Sequence, residues 1–361
     1  MRVLFVGGYA RDYPRNNIIK KGLILSGLEV VERRVSPKYR FWLRYPLLFL
    51  TSLGKLVKTD YIFVPEFCHK DVPLAKMLSL LSSQKIIFDP LASRFETKIL
   101  DRKRKPESSW QARWNFMIDR LAFNLSDLVL SDTQAHKKYY SRTFTIPQEK
   151  IRVIPVGFDD EIFNLSKVKN KRKEDGKFRV LFFGSFLPLH GVDNIVRAAK
   201  ILEEKDGSIS FELVGGGETL LLAKSLASEL NLENIRFGGW LPQRKLPEKI
   251  VNSDLCLGVF GSSKKARQIV PHKIFQSMAM RKAVVTADSP AIREFFKHRE
   301  NIFLSEGTDP KNLADSILEL REDASLREKI AENGFNLVLR EFSPLEIGKR
   351  LAAILKEKAV N

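Results

Sequence analysis

FRVLFFGSFLPLHGVDNIVRAAKIL (178–202) decides the fold. It opens with a short, almost wholly apolar run that stops at Gly184 and Ser185, as a strand buried on both faces does. A loop with Pro188 and Gly191 follows. Apolar residues then recur at helical spacing through VDNIVRAAKIL. Strand, loop and helix in that order make one half of a parallel strand–helix–strand crossover.

Working outward, the same alternation repeats in both directions. Toward the C-terminus, SFELVGGG (210–217), NIRFGGW (234–240), LCLGVF (255–260), AVVTAD (283–288) and NIFL (301–304) read as strands. Toward the N-terminus, the strand-like runs are VLFVGG (3–8), YIFVPE (61–66), KIIFDP (85–90), DLVLSD (127–132) and IRVIPVG (151–157). Amphipathic stretches such as DVPLAKMLSLLSS (71–83) and WNFMIDRLAFNLS (114–126) lie between them. Between the two series sits SKVKNKRKEDGK (166–177), charged and apolar-poor, which reads as a linker. The expectation is an α/β protein with a domain over 1–168, a linker at 169–177 and a second domain over 178–343. A basic-ended helix over 344–361 would cross back to the first domain. Parallel sheets covered by helices follow from the alternation.

The bulk numbers bound the class. With 361 residues, 44% apolar and 29% charged, the chain can bury two cores and is neither disordered nor fibrous. Cys68 and Cys256 lack metal-ligand spacing and read as reduced thiols, with no zinc site and no disulfide framework. The opening MRVLFVGGYARDYP reads as a buried strand, not a secretory signal. No apolar run approaches the ~20 residues that span a bilayer. A cytoplasmic protein is expected. The charge is unusual: 61 Lys+Arg against 43 Asp+Glu gives +18, which implies a polyanionic partner.

Gly7 and Gly8 follow the first strand, where backbone amides could approach an anion; a tight turn is the plainer reading. Tyr9, Ala10 and Arg11 come next, so the dinucleotide pattern GxGxxG is absent and a dehydrogenase is disfavoured.

The ordered set EKIRVIPVGFDDEIF (149–163), FFGSFLPLHGVDNIVRAAKIL (182–202), LVGGGET (213–219), NIRFGGWLPQRKLPEKIVNSDLCL (234–257) and PHKIFQSMAMRKAVVTADSPAIREF (271–295), with ENGFNLVLREFS (332–343), resembles glycosyltransferase family 4. These are retaining enzymes of the GT-B architecture, two Rossmann-like domains facing a central cleft. The resemblance implies a nucleoside-diphosphate sugar donor held by the second domain. Gly216 and Trp240 fall on its donor-side segments, with Gly7 and Gly8 as a further donor contact. The family's paired glutamates, seven residues apart, fall here on Gln268 and Gln276. Its diphosphate-binding Arg and Lys fall on Ser185 and His190. Neutral glutamines could still hydrogen-bond the donor sugar and the ribose. The cluster Lys264, Lys265, Arg267 and Lys273 beside the motif helix is the substitute for the missing charge. Lys273 and Gln268 are therefore the candidates next to the reacting sugar, and the departures also fit a non-catalytic relative.

On the acceptor side, His69 follows YIFVPEF and could steady an acceptor hydroxyl, though a lone histidine is more often structural. Asp89 and Arg94 are candidates for binding acceptor hydroxyls or phosphate. Asp159-Asp160 resembles half a metal motif and reads as structural, and the resemblance implies neither a metal ion nor another cofactor. Finally, RRVSPKYRFWLRYPLLFLTSLGKLVK (33–58) carries seven Lys/Arg and no acid, interleaved with Tyr39, Phe41, Trp42, Tyr45 and Phe49. On a helix this mix suits an anionic membrane surface, giving peripheral attachment and a lipid-linked or polysaccharide acceptor. A solvated helix face is the plainer reading. Single-stranded nucleic acid is disfavoured, because no nucleic-acid motif accompanies the charge.

Overall fold

The computed structural model describes residues 1–56, 58–169 and 175–360. Of the expected linker 169–177, residues 170–174 lie outside the described residues. The chain divides into two compact units: Met1–Val156 with Ser343–Asn361, and Gly157–Phe342. Residues 157–168, grouped from sequence with the first domain, thus belong with the second unit.

The first unit runs β1 (Arg2–Gly7), α1 (Pro14–Leu25), β2 (Glu29–Arg34), α2 (Phe41–Leu56), β3 (Tyr61–Val64), α3 (Val72–Ser82), β4 (Lys85–Phe88), α4 (Trp110–Leu125), β5 (Leu128–Ser131), α5 (Gln134–Phe144) and β6 (Ile151–Val153). All pairings are parallel, in the order β2-β1-β3-β4-β5-β6. The period of two sorts the side chains of β1. Leu4 and Val6 point into a core shared with Leu74, Leu78 and Phe123 of α3 and α4, while Val3 and Phe5 point into one shared with Ile19 and Leu23 of α1. Each fully buried Leu or Phe there contributes about 1.5–3 kcal/mol relative to exposure. β2 gave no apolar signal because it is the edge strand EVVERR, half-exposed along its length.

The second unit runs β7 (Phe178–Ser185), α6 (Val192–Lys205), β8 (Ile209–Gly216), α7 (Leu220–Glu229), β9 (Ile235–Gly239), α8 (Leu246–Val251), β10 (Leu255–Leu257), α9 (His272–Ala279), β11 (Ala283–Ala287), α10 (Pro290–Arg293), β12 (Phe303–Ser305), α11 (Pro310–Glu322) and α12 (Ala324–Phe342). Its parallel sheet is ordered β12-β11-β10-β7-β8-β9. Phe182 and Phe186 of the opening motif sit in its core with Val196 and Leu202 of α6. The last helix, α13 (Pro344–Val360), returns to the first unit, where Ile347, Leu351 and Leu355 join the core of α1. Gly22 and Gly348 permit that packing, since a Cβ on either would overlap the backbone of the other helix.

Candidate functional site

In an open parallel sheet, ligands bind beyond the carboxyl ends of the strands where the strand order reverses. The first unit reverses between β1 and β3, the second between β7 and β10. Those two points collect most of the candidates named from sequence.

At the first, the Gly7–Gly8 loop is already answered by the protein. The Gly8 N–H donates to Asp71 Oδ2 at 2.8 Å, and Asp71 Oδ1 pairs with Arg44 Nη2 at 2.5 Å. The Arg44 side chain occupies the space a Cβ on Gly8 would need. The anion received by the Gly8 amide is thus a side chain of the same unit. Asp89 is likewise interior. It and Arg15 are at 0% exposure, joined by a 2.6 Å ion pair, and Arg15 also donates to the Ile154 carbonyl at 3.1 Å. Buried ionic partners of this kind hold each other in place. That geometry ties α1 to β4 and to the chain after β6, so Asp89 does not reach an acceptor in this arrangement.

His69 opens the turn after β3, 1% exposed and edge-on to Phe88 and Phe123. Burial, and then the nearby Arg94 charge, lower its pKa to about 3, so it is a neutral imidazole. Its Nε2 lies 3.6 Å from Asp119 Oδ1, and Asp119 Oδ2 accepts from Ser93 Oγ at 2.8 Å. Arg94 is half-buried and Asp119 is the carboxylate that offsets its desolvation. The sequence reading missed Lys70 and Lys98. The pKa of Lys98 is lowered to about 8 by burial and then by Arg94, Lys70 and Arg104, a gathering of cations that favours an anion. Nothing in the spacing of these four residues signalled it.

The second reversal point differs. His190, after β7, is buried, and its Nδ1 bonds the Ser185 carbonyl, which fixes Nδ1 as the donor and leaves Nε2 an acceptor. Burial, then Lys273 and Lys265, hold its pKa well below the usual histidine range. His190 is therefore neutral and is not the replacement for the missing cation. Ser185 is exposed at the end of β7.

Lys273, in the first turn of α9, is buried with its Nζ 3.7 Å over the Phe182 ring and without a hydrogen-bond partner. Burial pushes its pKa well below the usual lysine range. Gly184 makes room for it: a Cβ there would lie 3.2 Å from Lys273 Nζ. Gly215, at the end of β8, lets the two strand ends meet, because a Cβ would overlap the Gly184 carbonyl.

Three loops are tied together here by Leu189, Val259 and Ala266. The last of these is flanked by Lys265, which is buried, and Arg267, which is exposed. Gln276 is buried one turn into α9 and Gln268 is half-buried just before it. Gly216 ends β8 beside Ser185 in the ladder. Trp240 stands apart, 75% exposed beyond edge strand β9, which β8 separates from β7. A hollow of this unit of about 790 Å³ is lined by Asp159, Ile162, Lys167 and Arg244 among others and holds none of these candidates. Among the described residues no group of three or more His, Cys, Asp or Glu is arranged to hold a metal ion.

Residues 165–337 match the family described as Glycosyl transferases group 1. The second unit carries a group 1 glycosyltransferase domain. The resemblance read from the sequence is thus borne out over that span. An uncharacterized glycosyltransferase of Methanocaldococcus jannaschii is 26% identical over 249 residues, covering 66% of this chain and 62% of the relative. The amylovoran biosynthesis glycosyltransferase AmsK of Erwinia amylovora is 23% identical, covering 59% of this chain and 52% of AmsK. The aligned chain thus spans less than two thirds of the length of these relatives. Among solved structures, Anabaena HepE in complex with UDP-glucose superposes with a TM-score of 0.75 at 18% identity, covering 99% of this chain and 100% of HepE. Sucrose-phosphate synthase from Thermosynechococcus elongatus gives 0.73 at 14% identity, covering 99% of each chain. The fold of the chain is accordingly the two-domain α/β fold of these transferases, and the group 1 domain contains the reversal point with Lys273.

Proposed function

We propose that the chain is a retaining glycosyltransferase that moves a sugar from a UDP- or GDP-linked donor to a lipid-linked or polysaccharide acceptor at a membrane surface. The observation that carries this reading is Lys273, a buried amine with no hydrogen-bond partner at the β7/β10 reversal of the group 1 domain. An amine desolvated without a partner is costly, and a diphosphate beside it removes that cost. Charge builds on the leaving diphosphate as the glycosidic bond breaks, and a lysine held there stabilises that charge. The HepE complexes with UDP and UDP-glucose support a uridine nucleotide as the first donor to try. In the retaining mechanism that the family resemblance implies, a donor phosphate oxygen takes the proton of the acceptor hydroxyl, so no dedicated base is required. That agrees with His69 being buried and neutral. The cations around Lys98 support an acceptor that carries phosphate.

A second reading, a non-catalytic relative that binds a nucleotide or glycan, is favoured by Gln268 and Gln276 standing where the family has glutamates. A thermal-shift screen with UDP, GDP, ADP and their common sugars, followed by a nucleotide-release assay with the one that binds, separates the two. Stabilisation with release on adding acceptor supports the enzyme. Stabilisation without release over a broad acceptor panel favours the second reading, and no stabilisation by any nucleotide removes the enzyme and leaves a non-catalytic glycan binder. Gln276→Ala is expected to weaken donor binding by about 0.5–1.5 kcal/mol, the worth of one neutral hydrogen bond. An unchanged affinity in a titration of that variant would remove Gln276 from the site.

A further inference from the structure

Helices that cover the sheet of a water-soluble α/β unit bury one stripe and show polar groups on the other. α4 does not. Ala112, Asn115, Asp119, Ala122 and Phe123 are buried, yet Trp110, Trp114, Met117 and Leu121 recur at four, three and four residues on the opposite side and are all exposed, Trp110 at 69%. α3 behaves in the same way, burying Leu74 and Leu78 while Met77, Leu80 and Leu81 face outward. On α2, Leu43, Leu47 and Leu50 are outward and Leu48 is inward. α3 packs against both α2 and α4, so the three apolar stripes adjoin. Twelve of the 21 large hydrophobic side chains left exposed among the described residues lie on these three helices. An apolar surface concentrated in this way marks an interaction site.

The charge on the face selects its occupant. Lys76 on α3 and Arg113 and Arg120 on α4 are solvent-accessible beside the apolar stripe, and Lys103, Arg104 and Lys105 precede α4. The single acid within the three helices, Asp119, is buried and bonded to Ser93. Cations beside aromatic and aliphatic side chains, outnumbering the one exposed carboxylate between them, Glu107, match anionic headgroups above an acyl layer. Tryptophans are enriched at that depth. A second copy of the same face fits poorly, since a two-fold contact would set these cations against one another. Among the described residues no helix is long and apolar enough to cross a membrane, and α2 carries Pro46 inside it.

We propose that the outer face of α2, α3 and α4 together is a docking surface for an anionic lipid bilayer, with Trp110 and Trp114 seated at the headgroup level. This deepens the membrane attachment in the proposed function. It moves that attachment from the single basic segment 33–58 to a three-helix face whose strongest elements lie outside that segment.

The test is vesicle flotation of the full chain with phosphatidylcholine alone and with phosphatidylcholine mixed with phosphatidylglycerol. The chain is expected to float with the anionic vesicles and to stay behind with the neutral ones. The double variant Trp114→Glu, Met117→Glu is expected to lose roughly tenfold or more in vesicle affinity with an unchanged melting temperature, because both positions are solvent-exposed. Arg113→Gln with Arg120→Gln should flatten the salt dependence. Leu80→Glu on α3 gives a second reading of the same face if the α4 variant is unstable. Trp240, the one tryptophan of four in the second unit, serves as a control: Trp240→Phe should keep the vesicle-induced blue shift of emission. The proposal is overturned if the chain ignores anionic vesicles, or if the α4 and α3 variants float like the parent. It is equally overturned if those variants instead dissolve a dimer seen by sedimentation, or if the arginine variant loses oligonucleotide binding and not vesicle binding. A donor-induced thermal shift without flotation would sink this surface and leave the proposed sugar transfer standing.

Discussion

The two sheets reverse strand order at comparable points, yet treat their polar groups in opposite ways. At the β1/β3 reversal Asp71 is paired with the Gly8 amide and with Arg44, and at the end of β4 Asp89 is paired with Arg15. At the β7/β10 reversal Lys273 is buried without a hydrogen-bond partner, beside a histidine held neutral. The first arrangement pairs its charges within the unit, and in the proposed function the second leaves a buried amine for a ligand to meet. Substitutions in the first unit should therefore register as stability, and those around Lys273 as donor binding.

The largest expected effect belongs to the first unit. Asp89→Ala leaves the Arg15 guanidinium buried and unpaired, and should cost about 3–5 kcal/mol in denaturant unfolding. Donor affinity, measured at a temperature where the variant is folded, should not move. A donor-binding loss with normal stability would break the comparison.

A smaller effect comes from pH. Burial opposes charge on His136, but Glu96 and Asp132 outweigh it and raise its pKa to about 9 from 6.5. A folded-state pKa above the unfolded value contributes stability that is complete below pH 6.5 and lost as pH rises through about 9. Thermal unfolding of the first unit should follow that loss, and His136→Gln should flatten it; an identical slope in the variant would contradict the assignment. The smallest effect is expected at Trp240. Trp240→Ala on the exposed end of β9 should change stability by less than about 0.5 kcal/mol and leave donor affinity intact. A marked loss of donor affinity there would extend the site to the sheet edge.

How much of this was legible follows from what each signal depends on. The strands of the second unit were read well because parallel strands buried on both faces are continuous apolar runs, as in β7 and β11. β2 was not, because an edge strand with one open side can be EVVERR. At the site, the Pro271-His272-Lys273 turn and Gln276 were legible from motif order. The sequence did not say that Gly8 donates to Asp71, that Asp89 is closed off by Arg15, or that His190 is neutral. Each of these depends on partners brought together by folding, Gly8 and Asp71 across 63 residues and Arg15 and Asp89 across 74. The outward stripe of α4 was visible as amphipathic spacing in WNFMIDRLAFNLS, but which of its two apolar sides faces the sheet is decided only by packing.

One titration tests the central claim most directly: the melting temperature of the parent chain and of Lys273→Met against rising UDP. At a hundred times its dissociation constant a ligand bound only to the folded state stabilises by about 2.7 kcal/mol. The account expects that shift in the parent chain. In Lys273→Met it expects an apparent affinity weaker by about 1.5–3 kcal/mol, the worth of a hydrogen bond to a charged group, with ligand-free stability equal or higher because a buried unpaired amine is gone. Equal shifts in the two proteins, or none in the parent chain with UDP, GDP or ADP, would contradict it.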